Sequence, residues 1–230
     1  MCLIKMLGGN LEAQIAGLLH DISHTAFSHL IDYVLELEEE DYHEKRYTEV
    51  LEDEELQSVL NRHGFNVEGF KELEAYKSLE YPLPNLSADR IDYTLRDLFQ
   101  IGQISRAEID WFLQGLMLRE ERVVLKEREY GAWFQRQYRF LTADYFASAE
   151  NKESHLAMKD LLKAALKNGK IVESDFWEDD DFLVEKLGGE AYLKTVIDRY
   201  RGTTTAALKL KLRVVDPEVV VGDQVVRMSA

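Results

Sequence analysis

His20 and Asp21 stand side by side in the stretch Leu18-Leu19-His20-Asp21-Ile22-Ser23-His24-Thr25-Ala26-Phe27-Ser28-His29, and Ala88-Asp89-Arg90-Ile91-Asp92-Tyr93 offers a second carboxylate further on. Imidazole nitrogen together with carboxylate oxygen suits a divalent transition ion, and an adjacent His-Asp pair at a helix end can turn both side chains toward one point. An isolated His-Asp pair also arises by chance, so the weight rests on what surrounds it. His63 and His155 have no motif around them and read as surface residues.

The elements that must position these residues read as mostly helical. Asn10 caps a stretch whose apolar positions Leu11, Ile15, Leu18 and Leu19 recur at helical spacing and deliver His20 and Asp21 at its end. A second helix is expected over 27–37, then an acidic run over 36–41 that reads as a solvated face or loop. Helices are expected over 42–60, ended by Gly64, and over 70–79, before a proline-marked turn at Tyr81-Pro82-Leu83-Pro84. Ser87 then caps a helix whose three- and four-residue spacings place Asp89, Asp92, Tyr93, Arg96 and Asp97 on one broad face, able to look into a pocket.

Beyond residue 115 the pattern changes. The segment 116–126 alternates around Arg119-Glu120-Glu121-Arg122 as a small hairpin, and long helices follow over 130–149 and 152–167, the latter capped by Gly169. A short element runs from Ser174 through Trp177 to Phe182, and Gly188-Gly189 separates it from a helix ending near Arg201. Over 207–228 branched residues alternate with charged ones, and Asp216-Pro217 and Gly222-Asp223 supply turns for a short antiparallel sheet. The expectation is a mainly α protein with a small antiparallel β appendage near the C-terminus. It divides into a helical core over 1–115, a hairpin and helices completing it over 116–202, and a β subdomain over 203–230.

Composition narrows the class. A chain of 230 residues, 46% apolar and 31% charged, has material for one large domain or one domain with an appendage. A single cysteine rules out a disulfide framework, and no apolar run approaches the roughly 20 residues that span a bilayer. The start Met1-Cys2-Leu3-Ile4-Lys5-Met6-Leu7 is too short for a signal peptide and reads as the end of a buried helix, so a cytoplasmic location is expected. The net charge of −15 disfavours long nucleic acids, whose binding draws on neutralised phosphates. A mononucleotide needs only a local positive pocket and a metal.

The motif His-Asp-x-x-His-x-x-Phe-Ser-His over 20–29, with Asp89-x-x-Asp92-Tyr93-x-x-Arg96-Asp97, resembles the HD superfamily of metal-dependent phosphohydrolases and, within it, the deoxynucleoside-triphosphate triphosphohydrolase branch. The resemblance implies an HD-domain helical core and assigns His20, Asp21 and Asp89 to the metal, a divalent ion such as Mn, Fe, Co, Ni or Mg. It implies that His24 approaches a phosphate chain and that Asp32 and a later histidine handle protons, with His43, followed by Glu44, the candidate. Tyr93 would pack against a ribose and Asp97 accept its 3′ hydroxyl, with Arg96 and His29 beside the substrate. For His29 a helix-packing role is the rival, and for the 89–97 face a salt-bridged helix surface.

Three features depart from the family pattern. Ser23 replaces a glycine and Thr25-Ala26 replaces Gly-Pro, changes that bear on triphosphate specificity more than on the metal. The family's first ligand, a histidine from an earlier helix, has no counterpart in residues 1–19. Glu12 is no substitute, since eight residues of helix separate it from His20 by roughly 12 Å, and a Cys2 thiolate would be unusual there. The chain is therefore expected to begin just after the helix that carries this histidine.

The activity implied is metal-assisted hydrolysis of a nucleotide or other small phosphoester, impaired by the missing ligand, with a nucleotide monophosphatase or cyclic-nucleotide phosphodiesterase also open. The alternative is a non-catalytic nucleotide-binding or scaffold protein on the same fold. Homo-oligomerisation is compatible with either.

Overall fold

A computed structural model of the protein describes residues 1–37, 42–203 and 213–230. Part of the acidic run, 38–41, and the first part of the C-terminal alternating segment, 204–212, lie outside the described residues. The elements are α1 (Cys2–Met6), α2 (Leu11–Leu19), α3 (Ser28–Val34), α4 (Tyr42–Leu51), α5 (Glu54–Arg62), α6 (Ala88–Gln100), α7 (Arg106–Gln114), β1 (Leu116–Arg119), β2 (Arg122–Leu125), α8 (Arg128–Arg139), α9 (Ala149–Lys167), α10 (Asp180–Leu187), α11 (Glu190–Asp198), β3 (Glu218–Val221) and β4 (Gln224–Arg227). Among the described residues the architecture is mainly α with one small four-stranded sheet. Among the described residues, no helix is long and apolar enough to cross a membrane.

Helix starts follow local chemistry. The Asn10 side chain accepts the Ala13 N–H at 2.8 Å to open α2, and Ser87 Oγ accepts the Arg90 N–H at 3.2 Å to open α6. Ser105 and Glu108 form a reciprocal capping box at the start of α7. The single helix expected over 42–60 is two, because Asp53 accepts the Leu56 N–H at 2.8 Å and starts α5 afresh. The helix expected over 70–79 is replaced by the 3₁₀ turns Val67–Phe70 and Leu73–Ala75. The helix expected over 130–149 is α8 followed by the π-helical turn Phe140–Tyr145.

Two compact units are built from interleaved chain segments. The first comprises Met1–His20, Glu72–Phe146 and the described part of Lys211–Ala230. Its core joins Ile91, Leu95 and Leu98 of α6 to Phe112, Trp133, Phe134 and Tyr138, with Val123, Leu125 and Val219 from the sheet. The strand order is β1-β2-β3-β4: two antiparallel hairpins are joined by parallel pairing of β2 with β3 at Leu125 and Val219. The hairpin near residue 120 and the C-terminal one thus share a single sheet. Glu120 and Glu121 turn the first hairpin at φ 51° and 62°, the handedness a tight hairpin turn requires. α1 lies close against α2, where a Cβ on Gly17 would come within 3.0 Å of the Ile4 side chain and the Met1 nitrogen.

The second unit comprises the described parts of Asp21–Lys71 and Ala147–Leu210. α3 and α11 both pack on α9, and Ile31, Val34, Leu162, Phe176 and Leu183 fill the core. The Lys186 ammonium lies 2.7 Å from Asp175, holding α10 to the turn before it. This lysine, with the Val172 N–H, keeps the Asp175 carboxyl below the usual aspartate range.

Candidate active site

In the first unit, α2 ends at His20, whose N–H still donates to the Ala16 carbonyl at 2.9 Å. His20 Nε2 stands 3.5 Å from Asp89 Oδ1, with the two side chains 19% and 34% exposed. Asp89 sits in the first turn of α6, where the helix dipole favours a carboxylate. That turn is anchored outside itself: the Ala88 N–H donates to the Ser78 carbonyl at 2.8 Å and the Asp89 N–H to the Leu79 carbonyl at 3.2 Å. The Arg90 guanidinium donates to the carbonyls of Tyr81 and Asn85, at 3.0 and 2.7 Å, and pins the proline turn to the same helix.

A separation of 3.5 Å is long for a hydrogen bond, but two donor atoms each about 2.1 Å from one tetrahedral ion lie about 3.4 Å apart. The His20–Asp89 pair therefore fits a divalent ion in both donor chemistry and spacing. Among the described residues, no group of three or more His, Cys, Asp or Glu side chains is arranged to hold one ion.

Further along α6 the residues part. The Tyr93 and Tyr138 hydroxyls meet at 3.1 Å, and burial, together with this bond, pushes the Tyr93 phenol well above its ordinary range. Asp92 and Arg96 are exposed and paired with each other one turn apart. Asp97 is half-buried, and loss of solvent raises its carboxyl, with Arg96 opposing and Asp92 adding to the shift. Tyr138, the partner of Tyr93, lies outside every motif in the sequence. Nothing in its local pattern sets it apart from the apolar face of α8.

In the second unit, Asp21 Oδ1 lies 3.5 Å from His24 Nε2. His24, His29 and His43 gather edge to face, with ring centroids 5.6 Å apart for His24 and His29, 4.6 Å for His24 and His43, and 5.9 Å for His29 and His43. Asp32 is buried, and its Oδ1 accepts the Tyr42 N–H at 3.0 Å, so its carboxylate orders the residue next to His43. Glu44 is exposed in the first turn of α4. Ser23 and Thr25, which flank His24, are buried and their hydroxyls have no hydrogen-bond partner among the described residues.

An open cleft of about 530 Å³ in this unit is lined by His24, Thr25, Ala26 and Trp177 with the acidic turn from Glu178 to Asp181. Asp179 caps α10 by accepting the Phe182 N–H at 2.8 Å, and Asp180 and Asp181 in its first turn complement the dipole. Trp177 and the acidic turn carried no functional signal in the sequence.

The HD domain family model matches residues 1–97, a span that contains every candidate residue named above as a metal or substrate contact. The whole chain aligns with the uncharacterized protein YdhJ of Bacillus subtilis, 35% identical over 241 residues and covering 74% of that protein. A protein of Cordyceps militaris named metal-dependent phosphohydrolase cns2 is 28% identical over 186 residues, 78% of this chain and 54% of that protein. The uncharacterized protein YwfO of Bacillus subtilis is 30% identical over 119 residues, 49% of this chain and 27% of that protein. The chain belongs to the HD-domain superfamily.

Proposed function

We propose that the chain is a divalent-metal-dependent phosphohydrolase acting on a small phosphoester, with nucleotides the substrate class that the 89–97 motif favours. The observation that carries this reading is the His20–Asp89 pair, an imidazole nitrogen and a carboxylate oxygen 3.5 Å apart at two helix ends. The similarity of 78% of this chain to a protein named as a metal-dependent phosphohydrolase supports it. His20 and Asp89 would hold the ion, and the family pattern assigns Asp21 to it as well. When bound, a divalent ion there withdraws electron density from a phosphate oxygen and offsets developing negative charge.

The remaining chemistry falls to the chain's own side chains. His24, with Asp21 3.5 Å from its Nε2, is suited to hold a proton and orient the ring toward a phosphate oxygen. His29 and His43 flank it and can pass or accept a proton from the same group. Asp32 acts through the backbone of Tyr42, as a positioning residue for His43. Tyr93 and Asp97 are assigned to the sugar by the motif alone.

A second reading, a nucleotide-binding protein without turnover, is favoured by the lack of a three-donor group among the described residues. The two separate in one experiment: p-nitrophenyl phosphate, nucleoside monophosphates and deoxynucleoside triphosphates incubated with the chain and added Mn²⁺, Co²⁺, Ni²⁺, Fe²⁺ or Mg²⁺. Release of phosphate or triphosphate that vanishes with chelator and with Asp89→Asn supports the hydrolase. Saturable nucleotide binding with no product under any metal sinks it in favour of the second reading.

A further inference from the structure

The turn that separates His24 from His29 is held by a residue far from it in sequence. Phe27 adopts φ 52° and ψ 39°, the left-handed region in which the Cβ of any residue but glycine crowds the backbone. It occupies the cap position of α3, yet its apolar side chain makes no capping hydrogen bond. The restraint comes from elsewhere in the same unit. The Phe27 N–H donates to Asp180 Oδ1 at 2.8 Å, and the preceding Ala26 N–H donates to the Phe176 carbonyl, also at 2.8 Å. Asp180 hangs from the first turn of α10, which Asp179 fixes in place.

We propose that Asp180 is a positioning residue for the histidine cluster: by accepting the Phe27 N–H it holds the left-handed turn that sets His24 against His29 and His43. A turn at Phe27 relaxed to the right-handed region would send α3, and His29 with it, in a different direction from the loop that carries His24. Ring centroids 5.6 Å apart leave little tolerance for such a rotation. The acceptor oxygen is what the turn requires, so an asparagine, which keeps a carbonyl oxygen at the same place, should serve. If the carboxylate acted only by its charge at the start of α10, asparagine would fail as alanine does.

The test compares Asp180→Ala and Asp180→Asn in the full chain by two independent readouts. The first is NMR, recording amide exchange at Phe27 and the chemical shifts of the His24 and His29 imidazoles, and it needs no activity. The second is Mn²⁺-dependent turnover of p-nitrophenyl phosphate, which rests on the hydrolase reading. Asp180→Ala should expose the Phe27 amide, move both imidazole resonances and lower kcat about tenfold with KM nearly unchanged, as small misplacements of reacting groups do. Asp180→Asn should restore all three. Unchanged resonances and protection in Asp180→Ala would overturn the proposal, as would an asparagine variant that behaves like alanine. Should the unaltered chain show no turnover, the hydrolase reading fails while the resonances still decide the role of Asp180.

Discussion

The α6 face and the histidine cluster carry their side chains by opposite means. Asp89 is placed by a helix whose start is set close by in sequence: Ser87 caps it, and residues 78 and 79, ten positions back, receive its first free N–H groups. The histidines at 24, 29 and 43 come from a loop and two short helices, and their convergence depends on Asp180, Phe176 and Asp32, the first two far from the motif in sequence. Long regular elements encode positions locally, whereas a cluster assembled from turns needs distant acceptors for the backbone N–H groups that the turns leave unpaired.

This contrast is broken most severely at the His20–Asp89 pair, proposed above to hold the ion. Asp89→Ala should lower metal-dependent hydrolysis by about a hundredfold or more, since an ion's charge offset is worth several kcal/mol. Its melting temperature should stay close to that of the unaltered chain, because the Asp89 side chain is one-third exposed. A variant that keeps full turnover with metal present would overturn the assignment of an ion to this pair.

Next in size is Asp32. Asp32→Ala should cost about 1–3 kcal/mol by denaturant unfolding, the penalty for stranding a buried N–H, while Asp32→Asn should keep most of that stability through its amide oxygen. Turnover then distinguishes positioning from proton transfer. An asparagine variant that is stable but inactive would show that the carboxylate itself handles protons.

Smaller effects sharpen the local side of the comparison. Ser87→Ala should destabilise by about 1 kcal/mol, the usual cost of a lost helix cap, and should weaken metal binding through Asp89 in titrations. Ser23→Ala should leave stability unchanged or raise it slightly, because it removes a buried hydroxyl that has no partner among the described residues. A clear loss of stability there would mean that the hydroxyl is satisfied in solution.

The mildest prediction is a pH effect at the Asp175–Lys186 pair. A carboxyl depressed on folding contributes stability that is present above the unfolded aspartate range and is lost as pH falls through the lower folded value. The melting temperature should therefore fall on the acid side of the aspartate range, and Asp175→Asn should flatten that part of the profile. An identical acid limb in the variant would assign the loss to other carboxylates.

The helical caps at Asn10 and Ser87 and the hairpin around Glu120-Glu121 were legible in the chain, because each is set by short-range rules. The helix expected over 42–60 failed at Asp53, where a capping side chain outweighed a continuous helical pattern. What tertiary structure alone decided was the partner of each exposed choice. Tyr138 was selected for Tyr93, Asp180 for Phe27, and β3 for the open edge of β2. Such pairings depend on which distant backbone and hydroxyl groups packing brings within hydrogen-bond reach. A periodicity of two or 3.6 says which face a residue occupies and nothing about what that face will meet.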